Sequence, residues 1–205
     1  MDRTFKNIPE DRIQDADKPS FLNSLNWIRG GSWDDLLESK RILIISESGV
    51  GKTYECRQRS GSLWAAGEAA FFLELAALAV EDVRTLLSFE EESRLGEWLD
   101  SKSSIATFFL DSIDELKLTK ASFRTALTKL RKLIGERLDR VRIVVTTRPT
   151  SFDVQLLRTI FPVPTNISSL SGEEAFARTA IRENISRKTD SSIKKYPDWR
   201  VVALM

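Results

Sequence analysis

Three short stretches of this chain carry side chains suited to gripping a phosphorylated ligand and its metal. In the first, Ser46, Glu47, Ser48, Gly49, Val50, Gly51, Lys52 and Thr53 follow one another without a break. Their spacing fits G-x-x-x-x-G-K-[ST], except that Ser46 stands where the pattern has Gly. Glycine permits backbone angles that other residues resist, so Ser46 predicts some strain in the loop. In a loop of this kind backbone N–H groups wrap phosphates, the Lys52 ammonium reaches the β and γ phosphates, and the Thr53 hydroxyl turns to Mg²⁺. The second stretch is Asp111-Ser112-Ile113-Asp114-Glu115. Asp111 closes an apolar run, the place from which a carboxylate holds the Mg²⁺ of a bound nucleotide. Asp114 and Glu115 follow within a turn, where a carboxylate can polarise attacking water as general base. The third stretch is Thr146-Thr147-Arg148-Pro149, and the Arg148 guanidinium suits phosphate geometry. Each has a plainer meaning alone: a chance Gly-Lys-Thr string, solvated turn acids, a surface arginine before a turn proline. Their succession in one chain points to a nucleoside triphosphate, ATP or GTP, bound with Mg²⁺.

Each grip follows a run that reads as a buried strand: Ile42 to Ile45, Ile105 to Leu110, and Val141 to Val145. Continuous apolar runs, rather than alternation, mark strands covered on both faces, as in a parallel sheet. Ala69 to Leu75 reads as another strand. Helical spacing is predicted for Trp33 to Leu37, Val80 to Leu99, Phe123 to Leu138 and Val154 to Phe161. The helix after the loop, Tyr54 to Ser60, is unusually polar for one that packs on a sheet. Strands alternating with helices give an α/β fold, a mostly parallel sheet with helices on both faces. In such sheets the ligand crevice lies outside the carboxyl ends of the strands, where all three grips fall. The core is expected over residues 35–185. Residues 1–34 form a lead-in, with a short helical pair around Phe21, Leu25 and Trp27. Ser171 to Glu174 fits a capping box opening a further helix. Residues 186–205 read as a docked tail or truncated element.

Composition narrows the function classes. The chain has 205 residues, enough for one domain with a sizeable core. A net charge of +1 provides no strong field for nucleic acid or a membrane surface. With no histidine, histidine triads and histidine–zinc sites are excluded. The single cysteine, Cys56, cannot form an internal disulfide and reads as a packing residue. No apolar stretch reaches the roughly 18 residues that span a bilayer. The expected address is cytoplasmic.

Together Ser46–Thr53, Asp111–Glu115 and Thr147–Pro149 resemble the NACHT family of P-loop NTPases, within the STAND class of signalling ATPases. The carrying feature is Asp111, a small residue directly after it, and the acidic pair Asp114–Glu115. The resemblance implies ATP binding, slow hydrolysis and a nucleotide-driven switch in self-assembly, as in phage defence or innate immunity. It also implies that Arg148 reports the γ-phosphate and that Trp27 or Trp33 lies near the base, although core packing is the plainer role for either indole. The chain departs from the family at Ser46, in its polar helix, and in showing no winged-helix or sensor region. Those departures keep open a non-catalytic fragment that binds a larger NTPase. An AAA+ ATPase is a third reading, but no arginine finger or helical lid is identifiable.

Overall fold

A computed structural model describes residues 4–9, 12–13, 15, 31–112, 119–148, 154–164 and 199–204. Six strands form one sheet: β1 (Phe5–Asn7), β2 (Arg41–Ile45), β3 (Ala69–Glu74), β4 (Ala106–Asp111), β5 (Val141–Thr147) and β6 (Arg200–Leu204). Their order across the sheet is β1-β6-β2-β5-β4-β3. Every pairing is parallel except that of β1 with β6. Strand β5 therefore stands between the two strands whose tips carry the phosphate loop and Asp111.

The apolar runs are buried on both faces because both faces carry helices. Leu43, Ile45, Phe71, Leu73, Phe108 and Leu110 point into one core. It is closed by α3 (Leu75–Val80), α4 (Phe89–Asp100), α5 (Lys120–Ile134) and α6 (Val154–Ile160). The alternate residues Ile42, Ile44, Phe109 and Val144 face a second core, under α1 (Trp33–Leu37) and α2 (Lys52–Ala65). The α/β architecture with helices on both sheet faces is thus present.

Helix α2 explains how so polar a sequence packs. It buries only Cys56, Ser60 and Leu63, spaced four and three residues apart on one stripe. On its outer side Arg57 pairs with Glu74 at 2.7 Å and Arg59 with Asp34 at 2.5 Å.

Several expected boundaries shift. The predicted helix from Val80 to Leu99 is instead α3, a 3-10 turn over Arg84–Leu86, and α4. Ser88 breaks it, because its hydroxyl and Glu91 form a capping box that restarts the helix. Helix α5 begins at Lys120 behind the cap Thr119, and stops at Gly135 with φ of 61°. Leu138 therefore lies in a following 3-10 turn, not in the helix. Two segments read as flanks supply strands. Residues 5–7 form β1, and residues 200–204 form β6, which pairs with β2. Arg200 fastens that edge: its guanidinium donates to Asn7 Oδ1 at 3.0 Å and to Asp35 Oδ2 at 2.7 Å.

By its internal contacts the chain divides into residues 1–163 with 198–205, and residues 164–197. The sheet belongs to the first unit. Apart from Pro164, the second lies outside the described residues, as do the expected helix after Ser171 and the helical pair around Trp27.

Candidate functional site at the strand tips

The chain leaves β2 at Ile45 and turns back into α2 through residues 46–51. Gly49 and Gly51 have φ of 80° and 97°, a left-handed backbone that costs other residues about 1–2 kcal/mol. Gly51 caps α2, so the helix starts directly at Lys52 with its N–H groups facing the loop. Val50 packs against the second core and anchors the loop, while Glu47, Ser48 and Gly49 are exposed. The Lys52 ammonium donates to the carbonyls of Ser46 at 2.7 Å and Glu47 at 2.8 Å. It therefore lies within the curl of the loop. Ser46 donates its backbone N–H to Thr147 O at 3.2 Å, but its buried hydroxyl has no partner among the described residues.

Thr53, on the first turn of α2, donates its hydroxyl to Asp111 Oδ2 at 2.6 Å. This contact joins the loop of β2 to the tip of β4 past the intervening β5. Thr146, at the tip of β5, donates its hydroxyl to the other carboxylate oxygen, Oδ1. Ser112 completes the cluster: its hydroxyl donates to Thr146 O at 2.7 Å. Asp111 and Thr146 are each 1% exposed, so these bonds are not traded for water. The Thr53 hydroxyl and the Asp111 carboxylate are hard oxygen donors, the chemistry that suits Mg²⁺. Among the described residues no group of three or more His, Cys, Asp or Glu is gathered to hold a metal, so Thr53 and Asp111 would share Mg²⁺ with the phosphates themselves.

Lys52, Thr53 and Asp111, expected together from sequence, are together. Arg148 follows the tip of β5 and is half-buried. Asp114, Glu115 and Pro149 lie outside the described residues. Trp33 packs edge-on against Phe5 and Phe109, with ring centroids 4.7 and 6.0 Å away. Its indole N–H reaches Glu55 at 3.4 Å, one turn into α2. Cys56, one turn into α2, is buried in the second core. Burial, then the charges of Asp111 and Glu55, push its thiol well above its ordinary value, with Lys52 opposing. It stays protonated and acts in packing. Sequence reasoning missed Thr146 and Ser112 as supports of Asp111. Two open clefts lie elsewhere, one lined by Leu99, Arg137 and Arg140, the other by Arg57, Trp64 and Phe72. Among the described residues no helix is long and apolar enough to cross a membrane.

No protein-family model matches the chain, and no curated protein matches it in sequence. The fold is similar at a TM-score of 0.37 to the structure of C. elegans PCH-2, with 14% sequence identity. That alignment covers 92% of this chain and 52% of the other, so the chain spans about half of that protein's length. The likeness is too slight to bear on the site.

Proposed function

We propose that this chain binds a nucleoside triphosphate, ATP or GTP, together with Mg²⁺, and hydrolyses it slowly as a switch of NACHT type. The observation that carries the reading is the 2.6 Å bond from Thr53 to Asp111, which puts loop, helix start and acidic strand tip at one point. The N–H groups at the start of α2 and the Lys52 ammonium would bind the phosphates. Thr53 and Asp111 would hold the metal. When bound, Mg²⁺ would neutralise charge on the phosphate oxygens. Glu115, with Asp114, would orient water, and Arg148 would meet the γ-phosphate. The run Asp111-Ser112 followed by Asp114–Glu115, and Thr147-Arg148-Pro149, support the NACHT assignment and the defence signalling that goes with it.

Thermal melting with ATP or GTP, each with and without Mg²⁺, tests the reading. Ligand at about 100 times Kd stabilises by about 2.7 kcal/mol, a rise of about 5–10 °C for a chain of this size. Lys52→Ala should abolish the rise and the heat of ATP binding in titration calorimetry. A wild-type protein that no triphosphate stabilises, or undiminished affinity in Lys52→Ala, overturns the proposal.

A second reading draws support from Ser46, whose hydroxyl in the first loop position is buried without a partner among the described residues. In that reading the chain is a non-catalytic interaction partner of a larger NTPase. Tight ATP binding without phosphate release, plus nucleotide-independent association with a larger NTPase, would favour it.

A further inference from the structure

We infer that Thr146 is a positioning residue that aims the Asp111 carboxylate at the metal; this rests on the triphosphate reading above. The hydrogen-bonded ladder between β4 and β5 ends at the pair Leu110 and Val145. One residue further on, side chains take over from the backbone. Ser112 N–H donates to Thr146 Oγ1 at 3.4 Å, and Ser112 Oγ donates to the Thr146 carbonyl at 2.7 Å. A hydroxyl carries one hydrogen and two lone pairs. With Ser112 N–H approaching as donor, the hydrogen of the Thr146 hydroxyl is committed to Asp111 Oδ1.

The two carboxylate oxygens are therefore held differently. Oδ2 takes its hydrogen bond from Thr53, at 2.6 Å. That hydroxyl must also serve the metal. Oδ1 takes its bond from Thr146, whose hydroxyl among the described residues otherwise only accepts from the Ser112 N–H and would not serve the metal. Without Thr146 the carboxylate would rotate about its last bond, and a buried oxygen would be left unpaired. Groups that hydrogen-bond a metal ligand set its orientation, and losing one costs about 10–100-fold in metal affinity. Because Thr146 belongs to β5, the same bond fixes the carboxylate relative to the strand that leads into Arg148.

Mn²⁺ binding at saturating ATP, read by electron paramagnetic resonance, tests this in wild type, Thr146→Val and Thr146→Ser. Valine keeps the shape and removes the donor; serine restores it. Thr146→Val should bind Mn²⁺ about 10–100-fold more weakly, and Thr146→Ser as wild type does. ATP binding in excess chelator should be the same in all three. Wild-type Mn²⁺ affinity in the valine variant overturns the inference, as does equal weakening in both variants. A wild-type protein that binds no nucleotide brings down the triphosphate reading and this inference together, whereas a selective failure at Thr146 leaves that reading standing. Should the valine variant not fold, Thr146→Ala carries the same comparison with Thr146→Ser.

Discussion

At the scale of single residues, the candidate site separates groups that touch the ligand from groups that aim them. Glu115 belongs to the first kind in the proposed scheme. Glu115→Gln should leave ATP affinity near wild type and slow phosphate release by about 100-fold or more, since general bases contribute about 10²–10⁴. A release rate equal to wild type would remove Glu115 from the water-orienting role. Cys56 yields a prediction of another sort. Burial raises its thiol well above 9.0, so the folded chain keeps the proton where the unfolded chain releases it. The stability this brings is intact below pH 9.0 and declines as pH rises beyond it. Urea unfolding from about pH 8 to about pH 10.5 should show this decline, and Cys56→Ala should lack that component. Lys52, Thr53 and Asp111 were legible in the sequence because motif spacing and a preceding apolar run define them. Thr146 and Ser112 were not. A hydroxyl at a strand end is commonplace, and its meaning here comes from which strand lies beside which.

At the scale of elements, Arg41 shows how a charge can hold a strand in place. It is 1% exposed and has no carboxylate partner among the described residues. Its guanidinium donates to the carbonyls of Lys40, Leu138, Val141, Phe161 and Pro162. Burial, and then the charge of Arg131, bring its pKa down to about 10, still high enough to keep it charged at neutral pH. The bonds tie the start of β2 to the turn before β5 and to the end of α6. Arg41→Met should destabilise by about 3 kcal/mol through the carbonyls left unsatisfied, lowering the melting temperature by about 6–12 °C. An unchanged melt would show that water replaces the guanidinium without loss. The sequence displayed β2, β4 and β5 as apolar runs, but not why β2 begins with an arginine. It also displayed the apolar stripe of residues 83–99 without its interruption. Periodicity records which positions are apolar and passes over the Ser88-x-x-Glu91 signature, the capping box that marks a fresh helix start.

At the scale of the whole molecule, the sheet is held at one margin by the end of the described chain. Strand β6 lies between β1 and β2, and Val202 pairs with Ile44 on one side and Asn7 on the other. Val202→Pro would remove an N–H from a strand paired on both edges, a place sheets do not tolerate proline. We expect a loss of about 3 kcal/mol or more in chemical unfolding, with weakened ATP binding because β2 carries the loop. Wild-type stability would show that β6 is dispensable. Residues 5–7 and 200–204 were hard to read as strands because both runs are short, each carries a charge (Lys6 in the first, Arg200 at the start of the second), and their partner is remote in sequence. That remoteness bears on how the protein is made. As the ribosome extends the chain, β2 emerges early, yet its neighbour β6 follows only after the rest of the sheet. At about 5–20 residues per second, the flank of β2 stays uncovered for on the order of ten seconds. An unpaired edge whose residues after Arg41 are all apolar is open to wrong partners over that interval. The newborn chain should therefore depend on chaperones more than the finished protein does.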